Sequence, residues 1–164
     1  MSTPATQATD ALATYLNDHL SGAVAALRML DHLIGHAGVP ADGAFFTRLR
    51  HDISDDRQTL EELLKKTGGR TSTVRQIGGW MAEWAGNLKL YVDDPSRGSL
   101  ARLEALEFLA LGIQGKLALW RALAAAALPA FHGTDFETLV ERARDQHERV
   151  EIRRIESARR VLST

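Results

Sequence analysis

Four stretches of this chain repeat apolar side chains at intervals of three and four residues, the spacing of one face of an α-helix. The first, over residues 10–36, does so at Leu12, Leu16, Ala23, Leu27, Leu30 and Ile34, and stops at Gly38-Val39-Pro40. The second, over 42–66, opens at Asp42 as a candidate cap, repeats Phe46, Leu49, Ile53, Leu60 and Leu64, and runs out at Gly68-Gly69. The third, over 99–127, carries Leu103, Leu106, Ala110, Ile113, Leu117 and Trp120. The fourth, over 135–162, carries Phe136, Leu139, Ala143, Val150, Ala158 and Val161, and its start is marked by a capping box in Thr134-Asp135-Phe136-Glu137. Nowhere do β-branched residues alternate with period two, so the expected class is all-α. Short turns join the first helix to the second and the third to the fourth, which makes two antiparallel hairpins.

A long segment, residues 67–98, separates the hairpins. Its middle repeats Val74, Ile77, Met81, Trp84 and Leu88 at helical spacing, although Gly78-Gly79 interrupts it at about 1 kcal/mol per glycine relative to alanine. A helix of about 25 residues is nearly 40 Å long, so a connection of this size can return the chain to the far end of the bundle. The expected architecture is one domain of 164 residues, a four-helix bundle with one long crossover carrying a fifth, shorter helix. A five-helix up-and-down bundle is the alternative. Trp80, Met81 and Trp84 would either dock the crossover onto the bundle or offer a partner surface.

Each long helix places a polar or ionisable residue within its apolar stripe: His19, Asp56, Glu107, and Gln146 or His147, with Arg154 further along the last helix. A buried polar group is costly unless it is paired, so these positions mark the interior chemistry. His32 and His36 fall on the face opposite His19, and Asp52 lies at the margin of its stripe. Counting residues from each turn puts His19 at the height of Asp56 and Gln114 opposite His147. Glu107 falls nearer Glu151 and Arg154, and its apolar neighbours, Leu106 and Phe108 to Leu111, predict that it is at least partly buried.

Charge and composition narrow the chemistry. Twenty basic and 21 acidic residues give a net charge of −1, which removes the basic face that nucleic-acid binding needs. The arginines of the last helix alternate with glutamates and aspartates, the pattern of a solvated face. There is no cysteine, so any metal must be held by histidine and carboxylates. The N-terminal residues lack the basic and apolar regions of a secretory signal, and the uncharged apolar stretch at 122–131 is shorter than the roughly 20 residues that span a bilayer. A cytoplasmic homodimer without a membrane partner is expected. No nucleophile elbow, phosphate loop or Ser/His/Asp order is present, so no catalytic residue can be named.

The order of elements, the stretches Tyr15-Leu-Asn-Asp-His-Leu-Ser-Gly22, Leu106-Glu-Phe-Leu-Ala-Leu-Gly-Ile-Gln-Gly-Lys116 and Arg142-Ala-Arg-Asp-Gln146, and the inward polar residues resemble small bacterial proteins of the ferritin-like superfamily. In such bundles the resemblance implies a di-iron site built from a Glu on each of two helices and a Glu-x-x-His pair on each of the others. Glu107 matches the single Glu of the third helix. His19 stands where the first helix's Glu would be, Asp56 stands where the second helix's pair would begin, and no Glu-x-x-His occurs anywhere. Two divalent ions in a dry core need roughly four carboxylates, and the stripes supply two.

The expectation is therefore a bundle of unassigned activity that lacks a di-iron centre and needs no cofactor. In one form, Arg154, Arg57 or a protonated His19 compensates Asp56 and Glu107, and Gln146 satisfies the remainder. The alternative is a redox or oxygen-handling protein holding one divalent ion, iron, manganese or zinc, on His19, Asp56 and Glu107, with Gln146 or His147 completing the set.

Overall fold

A computed structural model describes residues 4–68 and 98–163, with side chains from Asp10 onward. Four long helices make up nearly all of the described chain: α1 (Pro4–Gly35), α2 (Pro40–Lys66), α3 (Gly98–Ala126) and α4 (Phe136–Leu162). A single turn of 3-10 helix at Pro129–Phe131 lies between α3 and α4. Among the described residues there is no strand. The fold is all-α. Residues 69–97, with the expected helix over 74–88 and Trp80, Met81 and Trp84, lie outside the described residues.

The helix ends follow local chemistry, with two corrections to the expected caps. Pro40 occupies the first turn of α2, where a missing N–H costs nothing, and Val39 caps it without a side-chain hydrogen bond. Asp42 is thus not the cap; it sits inside the first turn and is buried. On α4 the cap is Asp135 rather than Thr134, because the Asp135 carboxylate accepts from Thr138 N at 3.0 Å and from Thr138 Oγ1 at 2.7 Å. At the end of α2, Thr67 Oγ1 donates to the Leu64 carbonyl at 2.7 Å, and Gly68 turns the chain with φ 71°, a conformation glycine adopts without strain. The end of α3 places Ala127, with φ 45°, in the same left-handed region.

Two apolar layers fill the interior. One joins Leu30 and Leu33 of α1 to Phe46 and Ile53 of α2, Leu106 and Ile113 of α3, and Val150 of α4. The other joins Leu16 and Leu20 to Leu60 and Leu64, Leu117 and Trp120, and Leu139 and Ala143. Going from the first layer to the second, residue numbers rise along α2 and α3 and fall along α1 and α4. Hence α2 and α3 run parallel. Close backbone approaches join α1 to α2, α3 to α4 and α1 to α3, with a looser approach of α2 to α4. Each neighbouring pair is antiparallel, and α2 faces α3 diagonally across the core. The hairpins are not joined by a short turn: α2 finishes at the Trp120 end of the bundle, and α3 begins at the Phe46 end.

By length and hydropathy α3 alone, among the described helices, could cross a bilayer. Here it supplies the middle of the core, with Leu106, Leu109, Leu119 and Trp120 almost fully buried.

Candidate functional site

The α2 stripe runs Phe46, Leu49, Ile53, Asp56, Leu60, and Asp56 is only 2% exposed, where a leucine would complete the series. Its compensation comes from two other helices. Lys116 Nζ donates to Asp56 Oδ2 at 2.5 Å and also to Gln146 Oε1, while Gln146 Nε2 donates to the same Asp56 oxygen at 2.9 Å. Arg142 Nη2 stands 3.0 Å from Asp56 Oδ1 as an ion pair, though no aligned hydrogen bond reaches that oxygen from the described residues. Asp56, Lys116 and Gln146 thus tie α2, α3 and α4 together through the core. Burial pushes the Lys116 ammonium below its usual pKa, and Asp56 opposes that shift.

Further charges follow the same division, acids on α2 and bases on α3 and α4. Asp42 is buried and accepts from Arg102 Nη1 at 2.6 Å, with Arg153 Nη1 3.8 Å from its other oxygen. The hydrogen bond from Arg102 holds the Asp42 carboxyl below the ordinary range, against the cost of burial. Both guanidinium groups also cover aromatic rings, Arg102 over Phe46 at 5.5 Å and Arg153 over Phe45 at 5.2 Å. Midway along the seam, Arg149 Nη2 donates to Asp52 at 2.6 Å.

The expected interior residues separate into those that meet and those that do not. Asp56 and Gln146 meet. Gln146, 1% exposed, is the inward member of its pair; His147 is half-buried, with its Nε2 3.2 Å from Gln114 Nε2, as their heights predict. His19 is half-buried beside Tyr15, with ring centroids 4.8 Å apart, and burial lowers its pKa against the opposing charge of Asp18. Neither an ion pair nor a hydrogen bond joins His19 to Asp56 among the described residues, which corrects the expected pairing.

Glu107 is exposed, contrary to expectation. The reason is helical phase: Glu107, Leu111 and Gln114 stack on one outward face of α3, and all are exposed, while Leu106, Leu109 and Ile113 carry the core. Arg154 and Arg57 do not compensate Asp56 either. Arg154 pairs with Glu151 at 2.6 Å and Arg57 with Glu61 at 2.7 Å, each within its own helix. The compensating cation is Lys116, a residue whose role the sequence reading missed. Its signal was present, since Leu109, Ile113, Lys116 and Trp120 advance by four, three and four residues along the inward face.

His19, Asp56 and Glu107 border one cavity of about 760 Å³ between α1, α2 and α3. They do not converge: no group of three or more His, Asp or Glu among the described residues could hold a metal ion. Ligand chemistry points the same way, because Asp56 Oδ2 already accepts from an ammonium and an amide and Oδ1 faces the Arg142 guanidinium at 3.0 Å. The residues do not fit a metal centre. Comparison with protein-family models, curated proteins and solved structures finds no match, so function is argued from this geometry.

Proposed function

We propose that this chain is a ferritin-like bundle in which a lysine-centred ion network takes the place of a metal centre, and that it serves as a metal-independent structural or binding protein. One observation carries the reading: Lys116 Nζ lies 2.5 Å from Asp56 Oδ2 while also donating to Gln146. A metal ion at Asp56 would have to displace the Lys116 ammonium from Oδ2 or approach Oδ1 against the Arg142 guanidinium 3.0 Å away. Like-charge repulsion at that distance opposes it. The antiparallel neighbours and parallel diagonals support the ferritin-like part of the reading, since a bundle with one long crossover has this order. Cytoplasmic residence as a homodimer belongs to the same proposal.

Elemental analysis of the purified protein, paired with melting in added iron, manganese or zinc, tests it. The expected result is no stoichiometric ion and no metal-dependent rise in Tm. A stoichiometric ion that is lost on Asp56→Asn substitution would overturn the reading.

A further inference from the structure

The cavity between α1, α2 and α3 has features that the ion network leaves unexplained. Its walls are mainly apolar, including Ala23, Ala26, Ile53 and Ile113, and its volume of about 760 Å³ falls in the range of small-molecule sites. Gly112 and Gly115 border it, and a Cβ added at either would meet nothing within 4 Å. Packing among the described residues therefore does not require glycine there; the missing side chains leave the space open.

Two residues that border this site carry buried donors without acceptors among the described residues. Trp120 borders the cavity and is 1% exposed, yet its indole Nε1 has no hydrogen-bond partner among the described residues. Arg57 also borders it, and its Nε is likewise buried and unpartnered although its Nη2 pairs with Glu61. An indole N–H can only donate, so an acceptor on a ligand is what would satisfy it. Charge selects among acceptors. Asp18, Glu104 and Glu107 line the cavity with Asp56, while its bases Lys116 and Arg57 already have carboxylate partners. That arrangement repels an anion.

We propose that this cavity binds an uncharged, largely hydrocarbon molecule whose carbonyl oxygen accepts a hydrogen bond from the Trp120 indole. His19, Asp56 and Glu107 border the same cavity, but the hydrogen bond comes from Trp120, which cannot ligate a metal, so the proposal can fail while the metal-free reading stands. Calorimetric titration of the full chain with three probes of one shape tests it: 2-acetylnaphthalene, 2-ethylnaphthalene and 2-naphthoate. The ketone is expected to bind about tenfold more tightly than the ethyl compound, the value of one net hydrogen bond, and more tightly than the anion. Trp120→Phe should erase the preference for the ketone while retaining affinity for the ethyl compound. Gly112→Leu should fill the cavity and abolish binding of both without lowering Tm. Absence of saturable binding, tightest binding of the naphthoate, a ketone preference that survives Trp120→Phe, or unchanged binding in Gly112→Leu would each overturn the proposal.

Discussion

Lys116 and Asp56 meet diagonally across the bundle, Nζ 2.5 Å from Oδ2, although their helices make no close backbone approach. The long lysine stem spans what the backbones do not, and Gln146 closes the triangle from α4. Removing one member and removing the pair should have opposite consequences. Lys116→Met leaves a buried carboxylate with the Gln146 amide and, as its remaining compensating charge, the partly exposed Arg142, and should cost about 3–5 kcal/mol in urea denaturation. Asp56→Leu combined with Lys116→Met should recover most of that loss, with a residual deficit that Gln146→Leu relieves. A double variant as unstable as the sum of its singles would contradict this account.

Asp42 contributes stability that acid removes. Its folded-state pKa is lowered, chiefly by the hydrogen bond from Arg102, so its contribution is fully present above the ordinary value of 3.8 and is lost as pH falls through the lowered value. Denaturation midpoints measured from pH 5 down to pH 2 should fall in the wild type and fall less steeply in Asp42→Asn. At neutral pH that substitution should cost about 1.5–3 kcal/mol, the worth of a hydrogen bond to a charged group.

His19 acts in a higher pH window and in the same direction as Asp42. Burial lowers its folded-state pKa below 6.5, so the unfolded chain binds the proton more readily and acidification through that value favours unfolding. Tm should decline between pH 7 and pH 5, and His19→Gln should remove the part of that decline due to this ring.

The helices were legible because their glycines and apolar periods agree, and each expected boundary lies within a few residues of the observed one, apart from the start of α1. The interior was legible only where phase was unambiguous. Asp56 and Gln146 replace apolar residues in a regular series, and the wheel places them inward. Glu107 misled because its apolar neighbours lie on several faces of an exceptionally apolar helix, and richness in leucine says nothing of direction. Leu111, 63% exposed, shares its face. Lys116 was missed for the converse reason: a long cation is ordinarily read as surface, whereas its acceptors lie 60 and 30 residues away in sequence.

Ala127 offers a stabilising change. Its φ of 45° places a Cβ in the left-handed region, a strain of about 1–2 kcal/mol that glycine avoids, offset by about 0.4–1 kcal/mol of added freedom in the unfolded chain. Ala127→Gly should therefore raise stability by about 0.5–1 kcal/mol, seen as a higher denaturation midpoint with an unchanged m-value.

The loosest neighbouring seam, α2 against α4, is bridged by Asp52–Arg149 at 2.6 Å and Asp56–Arg142 at 3.0 Å, with both arginines partly in solvent. Ionic strength acts unevenly on such a bundle. As the Debye length contracts from about 10 Å at 0.1 M to about 3 Å at 1 M, this edge loses attraction while the leucine-packed edges keep theirs. The two hairpins then have a preferred line along which to part, and salt, rather than heat, selects it.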